Sequence, residues 1–112
     1  MTTSPGPESL PQGTLDLLIL KTLARGPRHG YGVARWIEET TDDALRIEEG
    51  SLYPALYRME RRGWVSATWK RSDLGKAIKV YALTDAGRVE LRARTADWGY
   101  LITAVGKVLR AR

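Results

Sequence analysis

The chain has 112 residues, 43% of them hydrophobic and 28% charged, with a net charge of +5, one histidine and no cysteine. That length allows one domain with a small core, the lack of cysteine excludes disulfides and thiolate metal centres, and a single histidine argues against imidazole metal sites and a catalytic triad. No apolar run approaches the roughly 20 residues of a membrane span, and the N-terminus lacks the basic-then-apolar layout of a secretory signal, so the expectation is a soluble cytoplasmic protein with no membrane partner.

Residues 1–9, "MTTSPGPES", are rich in Pro, Ser and Thr without periodicity and read as a flexible tail. Helical spacing begins at Leu10. Leu15, Leu18, Ile19, Thr22 and Leu23 share a face, and Gly26-Pro27 ends the helix. A second helix, "YGVARWIEETT", points Val33, Trp36, Ile37 and Tyr31 inward, with Gly30 and Gly32 at its start for close backbone approach. The third, within "EEGSLYPALYRMERRG", buries Leu52, Leu56 and Met59. Glu49 or Ser51 caps it, Pro54 falls in its first turn and Gly63 takes the left-handed position at its end. "WVSATWK" and "AIKVYAL" read as strands joined by the turn "RSDLGK", a β-hairpin. Thr84 opens a last helix, with Asp85 placed well against the helix dipole. Along it, Leu91, Thr95, Trp98, Ile102, Val105 and Leu109 recur at 4-3-4-3-4 spacing, a heptad seam. Gly99 and Gly106 form a small-residue strip beside that seam, suited to a close neighbouring backbone or a ligand.

Three helices, a hairpin and a long helix make a mostly α fold with a small β-hairpin. It reads as a winged helix-turn-helix over 10–83 followed by a C-terminal dimerisation helix over 84–112. In that geometry the third helix enters the major groove of DNA and the hairpin, the wing, reaches phosphates or the minor groove. The heptad seam then meets a second copy and sets two recognition helices about 34 Å apart, which calls for an inverted repeat in double-stranded DNA. Charge agrees with a polyanion partner. Residues 1–50 hold 5 Lys/Arg against 8 Asp/Glu, whereas 51–112 hold 13 against 5.

Ser51, Tyr53, Pro54, Tyr57, Arg58 and Arg61 form the expected DNA surface of the third helix, and Arg71, Lys76 and Lys79 that of the wing. Lys21 and Arg28 are secondary candidates for the DNA backbone. The alternative for the tyrosines is packing, one in the core and one on a neighbouring helix. His29 reads as a helix-start or core-side residue rather than a catalyst. Asp42, Asp43, Glu48 and Glu49 read as solvating or capping groups rather than metal ligands. No nucleophile has a base and an orienting partner, so the chain reads as no enzyme, with no metal and no cofactor. The rival reading is a winged-helix module whose basic face binds an acidic protein.

The segments "LPQGTLDLLILKTLARGPRHGYGVARWIE", "EGSLYPALYRMERRGWV" and "YALTDAGR", in this order, resemble the PadR transcriptional regulators, over about Leu10 to Arg112. The resemblance implies a homodimeric bacterial repressor of the short subgroup with a single C-terminal helix. It also implies a response to small aromatic or cationic ligands, with Trp98 lining a pore at the dimer interface. Asp97 beside it reads as a group to attract a cationic ligand, the alternative being a solvated helix face. The chain departs from the family pattern at the wing, where Val80 replaces a tyrosine and Ala77 and Ile78 dilute the basic cluster. It departs again at Gly32, where an acidic residue is usual.

Overall fold

The computed structural model describes residues 10–112; the tail reading for 1–9 lies outside the described residues. Helix α1 spans Gln12–Ala24, α2 Gly30–Thr40, α3 Glu49–Arg61 and α4 Asp85–Arg110, with strands β1 Arg28–His29, β2 Val65–Arg71 and β3 Ala77–Leu83. Leu15, Ile19, Leu20 and Leu23 of α1 meet Val33, Ala34 and Ile37 of α2 and Leu52, Ala55, Leu56 and Met59 of α3 in one core, closed from the sheet side by Val65 and Tyr81. These positions follow the helical period along α1 to α3, so one stripe of each helix is withdrawn from water.

The sheet is antiparallel in the order β1-β3-β2. Strand β1 does not show in the sequence, because two residues cannot display alternation. It exists because Arg28 and His29 pair with Tyr81 and Val80 of β3. Tyr31, read as inward, instead projects from α2 and is 62% exposed. Pro54 is not in the first turn of α3. The cap is the backbone of Glu48, so Pro54 is the sixth helical residue, on the exposed side, and its ring replaces one N–H of the helical ladder.

The link from α2 to α3 bends through Asp42 and Asp43, both in the left-handed region (φ 50° and 63°), which Asp tolerates better than most residues. Glu38 secures the far side of this link by accepting the Ile47 N–H at 2.9 Å. Among the described residues no acidic group forms a set able to hold a metal ion.

Two glycines of the sequence motifs have clear reasons. A Cβ on Gly30 would lie 2.6 Å from the Tyr53 ring, so α2 starts with glycine to let that ring lie over it. A Cβ on Gly87 would overlap the Trp64 carbonyl oxygen, so α4 leaves the sheet only where the side chain is absent. Thr84 ties the same junction. Its hydroxyl accepts the Gly87 N–H at 3.0 Å and donates to the Gly63 carbonyl at 2.6 Å.

Helix α4 has 26 residues, about 39 Å at 1.5 Å per residue. Its first turns pack on α1 and β3, and the rest projects: among its residues only Gly87 is buried. The radius of gyration, 15.8 Å, exceeds the roughly 13 Å of a compact chain this long, as a projecting helix requires. No described helix is long and apolar enough to cross a membrane.

Candidate nucleic-acid interface

The outer side of α3 carries Tyr53, Pro54, Tyr57 and Arg61, all exposed, while Leu52, Ala55, Leu56 and Met59 hold the inner side. Tyr53, Tyr57 and Arg61 follow at i, i+4, i+8, one stripe along the helix. The Arg61 guanidinium lies 5.9 Å from the centre of the Tyr57 ring, which holds both side chains outward as a pair. Ser51 is half-buried above a small recess formed with Leu10, Leu15, Arg46, Ile47 and Glu48. Burial, with help from the charge of Glu49 and from Tyr81, pushes the Tyr53 hydroxyl above its ordinary range, so it stays protonated and able to donate.

Arg58 differs from expectation. Its guanidinium turns away from the outer stripe and donates to the buried carboxylate of Asp16 on α1. Arg94 of α4 approaches the other oxygen of Asp16 at 3.9 Å. Asp16 is 1% exposed. Burial pushes its carboxyl up from the ordinary carboxylate range, against the opposing pull of Arg58 and then Arg94. Arg58 is therefore a brace joining the first and third helices, and Asp16 is a structural residue that the sequence reading did not single out. The signal was present: an acid within the apolar run "LDLLIL", one helical step from Leu15.

The wing residues divide as well. Lys76 is exposed at the hairpin end. Arg71 donates to the Gly75 carbonyl at 2.8 Å, bracing the turn, while remaining exposed. Lys79 reaches back to Glu60 of α3 at 3.4 Å and lies 5.5 Å from the Tyr81 ring, so it ties the wing to α3. Lys21 is exposed on α1, and Arg28 sits beside the Trp36 ring. His29 caps α2: its Nδ1 accepts the Gly32 N–H at 3.0 Å, and its ring stacks on Tyr31.

Trp98 lies in a cleft of about 740 Å³ between α1 and α4, with Leu17, Leu18, Lys21, Leu91, Arg92, Thr95 and Ala96. Asp97 is exposed and is not part of that lining. Beyond the cleft Ile102, Val105 and Leu109 stand exposed on the projecting helix, and Leu101 and Val108 widen the apolar face. A Cβ on Gly99 would meet nothing within 4 Å among the described residues.

The match to known proteins follows this geometry. Residues 19–93 match the model of the PadR-like transcriptional regulator family. A transcriptional regulator from Mycobacterium tuberculosis is 33% identical over 81 residues, 71% of each chain. The crystal structure of a PadR family transcriptional regulator from Eggerthella lenta superposes with a TM-score of 0.77 at 35% identity, over 90% of this chain and 86% of that one. A PadR-like transcriptional regulator from Bacillus cereus gives a TM-score of 0.78 at 30% identity, over 90% and 96%. With its winged helix-turn-helix, its exposed tyrosine–arginine stripe and its basic wing, the chain belongs to the PadR-like family and is a DNA-binding transcriptional regulator rather than an enzyme.

Proposed function

We propose that the chain acts as a homodimeric repressor that binds an inverted repeat in double-stranded DNA and is released by a small flat ligand. The observation that carries this reading is the pairing of two unpartnered surfaces: the stripe of Tyr53, Tyr57 and Arg61 on α3, and the apolar face of α4 from Trp98 to Leu109. The first suits a DNA groove, where hydroxyls and a guanidinium meet phosphates and base edges. The second exposes large apolar side chains that a lone helix would not keep in water. A second copy of α4 covers them, through Leu91, Thr95, Trp98, Ile102, Val105 and Leu109, and Gly99 leaves room for the partner backbone.

In this arrangement Ser51, Tyr53, Pro54, Tyr57 and Arg61 meet the major groove, and Arg71 and Lys76 the flanking backbone. Arg58 and Lys79 hold α3 and the wing in place behind that surface. The cleft at Trp98 is the ligand site, and the cations on its rim, Lys21 and Arg92, favour a flat aromatic that is neutral or anionic over a cationic one. Footprinting on the DNA upstream of the chain's own gene tests the reading. The expected result is two protected half-sites about one helical turn apart, lost when Ile102 and Val105 are both changed to Asp. A single protected stretch that survives that double change contradicts the dimeric repressor.

A further inference from the structure

A second cleft, about 500 Å³ in volume, opens between α3, the start of α2 and the wing. Its walls are His29, Gly30 and Tyr31 on one side, Tyr53 of α3 on another, and Trp69, Ser72, Ile78, Lys79 and Tyr81 of the hairpin. Trp69 is 67% exposed. The pairing register explains where it points. Trp69 sits opposite Lys79 across the hairpin, so the two side chains share a face. Lys79 reaches Glu60 of α3, so that face is the one turned toward the recognition helix. The indole stands largely in solvent there, and so does Tyr31 across the gap, whose ring keeps one face on His29.

The shape of duplex DNA says what fits. With α3 in the major groove and the wing at the neighbouring minor groove, the strand that separates the two grooves must run between α3 and the wing. That is the line of this cleft. We propose that the cleft seats this sugar–phosphate strand, with Trp69, Tyr31 and Tyr53 packed against its deoxyribose rings and Lys76 and Arg71 beside its phosphates at the wing. The inference rests on the DNA-binding surface proposed above and adds an apolar, sugar-directed contact that charge alone does not provide. The charge pattern agrees: Lys70, Arg71 and Lys76 surround the outer end of the hairpin, and Glu60, which lies outside the lining, is paired with the wall residue Lys79. The Tyr53 hydroxyl remains a donor toward the same strand, and Gly30 lets the Tyr53 ring sit at the floor of the cleft.

A contact with sugars has a signature that separates it from phosphate and base contacts. It is insensitive to sequence, and it releases no counterions. The test measures affinity for the duplex upstream of the gene and for a random duplex, each at several salt concentrations, for the full chain and for Trp69→Ala, Tyr31→Ala and Lys76→Ala. Trp69→Ala is expected to weaken both duplexes by the same factor, about tenfold for the apolar area an indole covers, with an unchanged salt slope. Tyr31→Ala is expected to do the same to a smaller extent. Lys76→Ala is expected to lower the salt slope by about one unit. Trp69→Phe keeps an aromatic face, and its affinity should stay within about threefold of the parent, while the duplex-induced change in tryptophan emission is lost.

The exposure of Trp69 and Tyr31 lets both be removed without opening the core, which circular dichroism of each variant checks. Parental affinity of Trp69→Ala for both duplexes overturns the proposal. So does weakening confined to the upstream duplex, which assigns Trp69 to base readout. Parental affinity joined to lost quenching by a flat aromatic acid makes the cleft a small-molecule site and overturns it too. If the parent chain itself prefers neither duplex, the DNA-binding surface falls first and this inference falls with it.

Discussion

Asp16 offers the sharpest test of how α3 is held. Its carboxylate is buried, accepts from Arg58 of α3 and lies 3.9 Å from Arg94 of α4. Asp16→Ala leaves the Arg58 guanidinium without its partner, beside an Nε that already has none. Removing one member of a buried pair costs about 3–5 kcal/mol. Arg58 keeps 27% of its side chain in water and can swing outward, so the expected loss lies nearer 2–3 kcal/mol at about neutral pH. Against a total stability of roughly 5–15 kcal/mol, that lowers the melting temperature by about 10 °C. Urea unfolding followed by circular dichroism, at one fixed protein concentration, reads the loss. The double change Asp16→Leu with Arg58→Met replaces the pair by apolar packing and is expected to recover most of it.

The same residue predicts a pH dependence. Burial raises the folded carboxyl above its unfolded value near 3.9. A raised carboxyl favours the folded state in its protonated form. That stability is present below the unfolded value and is lost as pH rises through the folded one. The deficit of Asp16→Asn relative to the parent should therefore grow as pH falls from 7 toward 4. A deficit below about 0.5 kcal/mol for Asp16→Ala, or a double variant as weak as the single one, refutes the brace.

Three further outcomes follow from the geometry. Ile102→Asp with Val105→Asp should give monomers in sedimentation velocity and weaken DNA binding; a variant that stays dimeric places the partner surface off this face of α4. Gly87→Ala forces a methyl against the Trp64 carbonyl and should cost about 2 kcal/mol or more in urea unfolding; an unchanged midpoint means the junction gives way easily. Trp98→Ala should abolish the quenching of tryptophan emission by a flat aromatic acid; equal quenching in parent and variant removes Trp98 from the ligand cleft.

Much of this fold can be read along the chain because the helices carry complete stripes. Leu15, Ile19 and Leu23, or Leu52, Leu56 and Met59, repeat often enough for period and face to be unambiguous. Gly63 and Thr84 announced their ends in the same way, since a left-handed φ and a cap are properties of single residues. What escaped depends on partners distant in sequence. Strand β1 is made by Tyr81 and Val80, which lie about fifty residues away, and has no pattern of its own. Arg58 looked like a surface cation because its partner, Asp16, lies 42 positions earlier. Tyr31 looked like core because it is aromatic at the start of an amphipathic helix, yet the space beneath Gly30 is taken by the ring of Tyr53. Lys79 read as a free wing cation until the register brought Glu60 within reach.

The central claim is that α3 and the wing recognise a particular duplex through two copies of the chain. Fluorescence anisotropy with the duplex upstream of the gene, against a random duplex of equal length, tests it most directly. The account predicts tighter binding to the upstream duplex at every salt concentration, with that preference, but not the salt slope, reduced by Tyr57→Ala. Equal affinity for the two duplexes across the salt range, or a preference that survives Tyr53→Ala, Tyr57→Ala and Arg61→Ala together, would contradict it.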